Sequence, residues 1–472
     1  MKILVIVHWF PPAKTGGTEV YADNLARGLQ ARGNDVHVYT TAKRPDRPQY
    51  EVSHTEIDGL PVTEVVHNWK YQSFRNFYKD ETMEGHLRDV LDKVQPDVAC
   101  IQHLNFHGLG YPAILDERGI PMIYTLAEFL NICLREGWLL TPDLKLCDGP
   151  SPEKCTVCAV RMPLPDPADA TNDRVGKIVP RRPFSIPRML RKLRNRITGS
   201  DRPVDGFPLE WSGGDINPWT DAVELKMRET REALDHVDLF VAPSAFLKEQ
   251  FVKAGMIDDE RILVSDYGMD PTPFKGVSRK EDDGPRPLRV GFLGWVSEQK
   301  GVDVLIRACD DLPGSKAECH IWGASDPEHL QGLQRISKNP AIRFFGAYKN
   351  EQVAEILTTL DILVVPSIWY ENSPLVIHEA YLAGVPVITG SRGGMAGLVE
   401  DGVNGLLFEI GNSDELRRQI QRIIDEPELL ERFRGAIPHV KTVEEDARDM
   451  EEKMKELIRK RSGGKDPAVR AS

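Results

Sequence analysis

The sequence predicts an α/β protein made of two Rossmann-like halves, and three observations carry this prediction. The short apolar run over residues 2–8, which is rich in Ile and Val, is typical of a parallel strand that is buried on both faces. Predicted strands alternate with segments of helical spacing in both halves of the chain. A polar link over residues 276–287 separates the halves, so each half is expected to form its own parallel sheet.

The first half begins with the strand over residues 2–8, which leads into the loop PPAKTGGT. Thr18 is expected to cap the helix that follows, and Gly33 is expected to end it. A second strand is expected over residues 35–40. The alternation continues with strands over 97–101, 121–125 and 238–242 and with helices over 86–93, over 112–117 and from residues 221 and 244 onward.

Residues 160–220 interrupt this alternation, because they are rich in Pro, Gly and Arg and show little periodicity. Between Arg174 and Arg202, ten Lys and Arg accompany one acid, Asp201. Residues 181–197 interleave Arg with apolar side chains, a pattern that suits peripheral contact with an anionic membrane surface. A solvated loop explains the same pattern, and both interpretations stay open.

The second half repeats the alternation, with strands expected over residues 288–293, 319–322, 342–345, 362–365 and 385–388. Near the end of the chain, apolar residues recur every three or four positions, at Val443, Ala447, Met450, Met454 and Leu457. This spacing predicts an amphipathic helix with one face buried against a domain. A disordered tail is expected over residues 462–472.

Composition and charge exclude several classes of protein. The chain has 472 residues, of which 41% are hydrophobic and 28% charged, and its net charge is −12. A nucleic-acid-binding protein needs a basic surface, so no nucleic-acid partner is expected. No apolar run approaches the ~20 residues of a membrane span, and the opening segment MKILVIVHWFPP is too short for a signal peptide. A cytoplasmic protein is expected, with at most peripheral membrane contact.

Two glutamates, Glu371 and Glu379, stand on either side of Pro374 in the segment PSIWYENSPLVIHEAYLAGVPVITGSRGG. The proline places Glu371 in a loop and Glu379 one turn into a helix that starts near Leu375. Backbone amides at that helix start would face an anionic or polyhydroxyl ligand. A carboxylate can also accept hydrogen bonds from a vicinal diol such as ribose. A capped helix with two surface acids remains the other interpretation.

In their order and spacing, these segments resemble the retaining GT-B glycosyltransferases of family four, the glycosyl transferases group 1 type. The resemblance covers nearly the whole chain. It implies two Rossmann-like domains that face each other across a cleft, with a C-terminal helix returning to the N-terminal domain. The segments that carry it are residues 11–40, 96–115 (PDVACIQHLNFHGLGYPAIL), 241–255 (VAPSAFLKEQFVKAG), 267–270 (YGMD), 294–308 (GWVSEQKGVDVLIRA) and 366–408.

The resemblance implies a division of labour between the domains. Residues 1–270 would form the acceptor-binding domain, including a cysteine-rich loop over 133–158 and the insertion over 160–220. Residues 271–440 would bind a nucleoside diphosphate sugar. Residues 441–461 would form the helix that packs on the N-terminal domain. The acceptor would be a saccharide or a lipid-linked sugar.

The resemblance also assigns residues to the donor site. Glu379 matches the residue that binds the ribose hydroxyls, and Lys300 matches the lysine that holds the diphosphate. Glu371 matches the residue that binds the donor sugar and its phosphates, and Lys300 and Glu371 are the catalytic candidates. No metal or other cofactor is expected for catalysis, because the lysine and the helix dipole offset the phosphate charge. The remaining donor-site candidates are Gly16 and Gly17 in the facing glycine loop, Ala347 near the base, and Asn372, Ser373, Pro374 and Leu375 beside Glu371.

Three positions depart from the family pattern. Trp295 stands where the family commonly has Arg, Ala127 stands where it commonly has His, and Gly397 stands where Glu often follows the glycine pair. Either an unusual donor or a catalytically weakened protein would account for these departures.

Four of the seven cysteines, Cys133, Cys147, Cys155 and Cys158, fall within 26 residues. They could form a structural tetrathiolate zinc site, and a similar loop occurs in a subset of the family. Four unrelated loop thiols are the alternative.

Two histidines, His103 and His107, follow a predicted strand, at the edge of the sheet where ligands bind in open α/β folds. They are acceptor candidates, although most histidines are only solvated or hydrogen-bonded.

These observations together predict a metal-independent glycosyltransferase of the hexosyltransferase type that retains the anomeric configuration and acts in polysaccharide, glycolipid or other glycoconjugate biosynthesis. A non-catalytic sugar-nucleotide or glycan-binding protein of the same fold is the alternative. A dinucleotide-dependent epimerase or dehydrogenase is disfavoured, because the loop PPAKTGGT lacks the G-x-G-x-x-G spacing.

Overall fold

The computed structural model describes residues 1–12, 16–135, 137–161, 217–277 and 286–463. The predicted membrane-contact segment over 181–197, most of the rest of the insertion, and most of the predicted tail lie outside these described residues. Within them, none of the helices combines the length and the apolar character that crossing a bilayer would require.

The N-terminal domain is built on a sheet that, in the described residues, has eight strands. These are β1 (Lys2–Val7), β2 (Asp35–Ala42), β3 (Val52–Ile57), β4 (Leu60–Val66), β5 (Val98–Ile101), β6 (Met122–Thr125), β7 (Leu239–Ala242) and β8 (Ile262–Val264). Their order is β3-β4-β2-β1-β5-β6-β7-β8. All neighbours pair in parallel except the β3–β4 hairpin at one edge. The core lies on both faces of the central strands, as parallel sheets require.

The C-terminal domain contains a second sheet, which has six parallel strands in the described part of the chain. They are β9 (Leu288–Leu293), β10 (Ala317–Trp322), β11 (Ile342–Gly346), β12 (Ile362–Val365), β13 (Val387–Gly390) and β14 (Gly405–Phe408). Their order is β11-β10-β9-β12-β13-β14. Chain order reverses next to β9, which lies between β10 and β12. In open α/β sheets such a switch point opens a crevice at the carboxyl ends of the strands, where ligands bind.

Helices cover both sheets. In the N-terminal domain they are α1 (Gly17–Ala31), α2 (Phe74–Tyr78), α3 (Glu81–Val94), α4 (Tyr111–Glu117), α5 (Pro152–Ala159), α6 (Asn217–Asp235) and α7 (Ala245–Lys253). In the C-terminal half they are α8 (Val302–Asp310), α9 (Pro327–Ile336), α10 (Val353–Thr358), α11 (Leu375–Leu382), α12 (Ser413–Asp425), α13 (Glu428–Gly435) and α14 (Val443–Arg461).

The terminal helix α14 returns to the N-terminal domain, as expected for this fold class. Its buried face includes Ala447, Met450 and Met454, which belong to the same core as α1. A Cβ atom on Gly28 of α1 would lie 2.8 Å from the Cβ of Ala447, so the missing side chain lets the two helices approach closely. At the rim, Arg32 donates to the Glu451 carboxylate at 2.7 Å.

One local prediction for the first helix is wrong. The helix α1 starts at Gly17 with Gly16 as its N-cap, and that cap makes no side-chain hydrogen bond. Thr18 therefore lies inside the first turn. The carboxylate of Glu19 in that turn is buried and lies 3.3 Å from His8 Nε2. This contact ties the helix start to the end of β1.

Candidate active site

A cavity of about 1180 Å³ lies between the two domains. Its lining includes the end of β1 and the start of α1 from one side, and the loops after β9 and β12 from the other. The lining also contains Lys300, Glu371 and the loop from Asn372 to Leu375. The cavity therefore brings most of the predicted donor-site residues together at the switch point of the second sheet.

Lys300 and Glu371 form the ionic centre of this cavity. The Lys300 Nζ donates to Glu371 Oε1 at 2.7 Å. The same carboxylate oxygen accepts from Ser367 Oγ at 2.7 Å and from Trp369 Nε1 at 2.8 Å. Burial by itself would raise the pKa of Glu371, but Lys300 and these hydrogen bonds outweigh it and lower the pKa. Glu371 is therefore held as a carboxylate.

Backbone geometry places Lys300 against this loop. Gly301, which follows it, has φ +66°, and a Cβ atom there would lie 2.0 Å from the Pro366 carbonyl oxygen. Ile368 N also donates to Gln299 O at 2.9 Å. Because only glycine fits at residue 301, the two loops can pack closely enough for the lysine to reach the carboxylate.

The side chain of Asn372 connects the two domains. Its Nδ2 donates to the carbonyl oxygens of Ala127 at 3.0 Å and Leu126 at 3.3 Å. Its Oδ1 accepts from Ser244 Oγ at 2.8 Å. The Asn372 side chain therefore positions the donor loop against the N-terminal domain.

Ser373 belongs to a second polar group between the domains. Its hydroxyl lies 2.7 Å from Asp266 Oδ1 and 2.9 Å from His378 Nε2. Burial by itself would raise the pKa of Asp266, but His378 and Ser373 outweigh it and lower the pKa. Asp266 and His378 were not anticipated from the sequence.

The start of α11 faces the glycine loop across the cleft. Pro374 is the N-cap of this helix and makes no side-chain capping bond. A Cβ atom on Gly17 would meet the Leu375 side chain at 3.7 Å, so the two helix starts approach each other closely. Because helix N-termini carry partial positive charge, this opposition favours an anion between the domains.

Glu379 lies one turn into α11, half-buried and in the electrostatic range of Tyr348. Burial raises the pKa of Glu379 to about 7, and the attraction of His378 offsets only part of this effect. Tyr348 lines the cavity, whereas its neighbour Ala347 is exposed and does not belong to the lining. The loop after β11 therefore meets the cavity through Tyr348, the neighbour of the predicted Ala347.

The N-terminal wall of the cavity carries two imidazole–carboxylate pairs. His8 Nε2 lies 3.3 Å from Glu19 Oε1, and His103 Nε2 lies 3.1 Å from Glu128 Oε1. The rings of His8 and His103 are 4.0 Å apart between centroids. His103 Nδ1 accepts from Asn105 N at 3.0 Å, which leaves Nε2 as the donor to Glu128.

The structure separates the two predicted acceptor histidines. His103 lines the cavity, but His107 is fully buried and does not. The Nε2 of His107 lies 2.9 Å from the Val7 carbonyl oxygen, and burial lowers the pKa of His107 to about 3. His107 is therefore a neutral packing residue and not an acceptor contact.

The four clustered cysteines are free thiols in this structure. Among the described residues, which include all four, no group of three or more His, Cys, Asp or Glu side chains is arranged to hold a metal ion. The structure therefore gives no support to the zinc site expected from Cys133, Cys147, Cys155 and Cys158. Zinc binding stays a prediction.

The three departures from the family pattern occupy different environments. Trp295 is 59% exposed and does not line the cavity, although Gly294 before it does. Ala127 lines the cavity, and its carbonyl oxygen is the acceptor for Asn372. A Cβ atom on Gly397 would meet nothing within 4 Å, so this position has room for a side chain.

Two family models match the sequence. Residues 277–439 match the model described as glycosyl transferases group 1, and residues 15–126 match the one described as glycosyltransferase family 4. Together the two matched ranges span more than half of the chain.

Two curated relatives illustrate the sequence similarity. An uncharacterised glycosyltransferase of Methanocaldococcus jannaschii is 23% identical over 90% of this chain and 90% of its own length. A D-inositol 3-phosphate glycosyltransferase of Actinosynnema mirum is 28% identical over 47% of this chain. The match covers 58% of that relative, so the chain spans little more than half of it.

Solved structures share the fold over nearly the whole chain. HepE of Anabaena, in complex with UDP and glucose, superposes with a TM-score of 0.60 at 16% identity and covers 96% of this chain and 99% of its own. Sucrose-phosphate synthase of Thermosynechococcus elongatus gives a TM-score of 0.63 at 17% identity, with 96% and 98% covered. These neighbours confirm the predicted GT-B fold. With both family models matched, the chain belongs to the glycosyl transferases group 1 family of GT-B glycosyltransferases.

Proposed function

We propose that this glycosyltransferase moves a hexose from a nucleoside diphosphate sugar to an acceptor hydroxyl, with retention of the anomeric configuration and without a metal. The observation that carries the proposal is the contact of Lys300 with Glu371 beside the start of α11, inside the cleft. The structural neighbours support a nucleotide donor, since one is a complex with UDP and glucose and another, Arabidopsis thaliana starch synthase IV, is bound to ADP and acarbose.

When the donor binds, its diphosphate would replace Glu371 as the partner of the Lys300 ammonium. Glu371 would remain bound by Ser367 and Trp369, so its negative charge stays compensated when the lysine turns to the phosphates. The lysine and the amides at the start of α11 would then stabilise the charge that develops on the leaving diphosphate. In this arrangement the lysine and the amides would stabilise the negative charge of the diphosphate, as a divalent cation does in other phosphate-binding sites.

The acceptor would approach from the N-terminal wall, where His103 is held by Glu128. As the bond from the anomeric carbon to the phosphate breaks, the bond to the acceptor oxygen forms on the same face. The acceptor proton passes to the departing phosphate, so no protein nucleophile is assigned. The contacts of Asn372 with Ala127 and Leu126 would keep the cleft closed against water during this step.

A thermal-shift screen of nucleotide sugars, followed by a transfer assay in the presence of a chelator, tests this proposal. A true donor raises the melting temperature by mass action, and transfer should persist without metal. Lys300→Ala should abolish transfer, whereas the exposed Lys316→Ala in the same domain should behave as the wild type. Donor binding without either transfer or donor hydrolysis would instead favour the non-catalytic alternative, and it would implicate Ala127 and Trp295.

A further inference from the structure

The N-terminal wall of the cavity carries an aromatic surface that the donor site does not use. Trp9, Trp69 and Phe106, here called the aromatic shelf, line the cavity together. Phe106 lies 5.3 Å from Trp9 and 5.8 Å from Trp69 between ring centroids, and it stacks on Trp69 at an interplanar angle of 18°. Trp69 remains 37% exposed. Partly exposed aromatic rings grouped in a cavity mark a binding surface.

The backbone is strained at two of these three residues. Trp69 has φ +58° and Phe106 has φ +64°, values that bulky side chains rarely adopt. Such conformations are energetically costly and cluster at functional sites. Since both strained residues place their rings in the wall of one cavity, the strain has a shared functional explanation.

Two lysines border the aromatic shelf without a carboxylate partner among the described residues. Lys43 Nζ lies 3.3 Å from the centre of the Trp69 ring, and Lys70 lines the same part of the cavity. By contrast, the nearby Arg44 and Arg47 are paired with Glu64 and Glu51. The uncompensated positive charge of this region therefore faces the cavity.

The two acids of the same wall contact histidines and do not pair with these lysines. Glu19 and Glu128, which line the cavity, lie against His8 and His103 respectively. A ligand on the aromatic shelf therefore meets two lysines whose charge no carboxylate of the described residues pairs. On a chain whose net charge is −12, this local arrangement favours an anionic ligand.

The chemistry around the aromatic shelf favours a sugar ring over an acyl chain. Flat rings present a negative π face to the polarised C–H bonds on the apolar face of a pyranose. Asn68 and Asn105 also line this region and offer polar groups at the edge of the rings. An acyl chain would be better matched by an aliphatic tunnel.

We propose that the acceptor is a sugar that carries an anionic group, a phosphate ester or a carboxylate. Its ring stacks on the aromatic shelf, and its anionic group binds Lys43 and Lys70. This inference rests on the proposed function, because it names the acceptor class of that reaction. It adds the requirement that the acceptor carries a negative charge, which the proposed donor site does not impose.

Matched pairs of acceptor probes test the charge requirement by calorimetry and by transfer with the donor found in the screen. The pairs are glucose with glucose 6-phosphate, and galactose with galacturonate, so that phosphate and carboxylate are compared separately. We expect the anionic member of at least one pair to bind about tenfold tighter or more, because hydrogen bonds to charged groups are strong. This preference should fall as salt rises. Equal or weaker binding of the anionic member in both pairs would overturn the proposal.

Variants then test the residues. Lys43→Gln and Lys70→Gln should each remove most of the preference for the anionic probe, whereas Lys93→Gln, an exposed lysine of the same domain outside the cavity, should keep it. Trp69→Asn should weaken binding of both members about three- to tenfold, and asparagine is chosen because it tolerates the positive φ of this position. An unchanged preference in both lysine variants would refute the assignment.

The two proposals fail in distinguishable ways. If the wild type binds no nucleotide sugar, the proposed function is wrong. If it binds a donor and transfers to neutral sugars as well as to anionic ones, only the acceptor assignment is wrong.

Discussion

Replacing Glu379 by Gln should stabilise the protein at alkaline pH while it weakens donor binding. Burial raises the pKa of this carboxyl from 4.5 to about 7. The folded protein therefore keeps the Glu379 proton between these values while the unfolded chain loses it. Stability of the wild type consequently falls as pH rises through this window and levels off above the folded pKa.

The magnitude follows from the size of the shift. A difference of about 2.5 pKa units at about 1.4 kcal/mol per unit gives roughly 3 kcal/mol at pH 8 and close to zero near pH 4.5. Glutamine is neutral in both the folded and the unfolded protein, so the Glu379→Gln variant does not lose stability in this way as pH rises. The neighbouring groups, His378 and Tyr348, are the same in both proteins, and their contributions largely cancel in the comparison.

Urea unfolding of both proteins at pH 5, 6, 7 and 8 measures the effect. The stability advantage of Glu379→Gln should grow with pH, and the exposed Glu355→Gln on α10 should show no such trend. At the same time, Glu379→Gln should bind the donor more weakly, because it lacks the carboxylate assigned to the ribose hydroxyls. A pH-independent difference between the two proteins would refute the electrostatic reasoning. Unchanged donor affinity would refute the ribose assignment.

Three further predictions concern other parts of the site. Lys300→Ala should lower the rate of transfer by more than the ~10²–10³-fold typical of removing one electrostatic donor. The reason is that no second cavity lysine contacts Glu371 among the described residues. Steady-state kinetics measure this loss, with Lys316→Ala as the control. Gly394→Ala should also lower donor affinity, because its Cβ atom would lie 1.4 Å from Asn372 O and displace the donor loop. Gly397→Ala has open space around its Cβ atom, so it should bind the donor as the wild type does; calorimetry measures both affinities. If the clustered cysteines bind zinc, freshly reduced protein should contain about one metal per chain and Cys155→Ser should lose it; metal analysis that finds none rejects the site.

The predicted strands that match best are those buried on both faces. The bounds of β9 and β12 agree with the sequence prediction to the residue. β12 is a continuous apolar run, and the last four residues of β9 are buried although Arg289 interrupts its apolar residues. The hairpin of β3 and β4 was missed. Its edge strand β3 is largely exposed and carries Ser, His, Thr and Glu, so it lacks the apolar pattern from which strands are predicted.

The site was predictable where it depends on local sequence and unpredictable where it depends on contacts between the domains. Pro374 and the position of Glu379 on α11 follow from residues a few positions apart. The bond from Asn372 to Ala127 joins residues that are 245 positions apart, and no spacing rule anticipates it. The role of Trp369 as a hydrogen-bond donor to Glu371 was likewise not predictable from the sequence, because an aromatic residue beside a strand end usually indicates packing.

The central claim is metal-independent transfer with retention, and the configuration of the product tests it most directly. Wild-type protein is incubated with the α-linked nucleotide sugar that stabilises it most, the acceptor and a chelator, and the anomeric coupling constant of the product is read by proton NMR. The proposed mechanism predicts an α-linked product that Lys300→Ala does not form. A β-linked product, or transfer that the chelator abolishes, would contradict it.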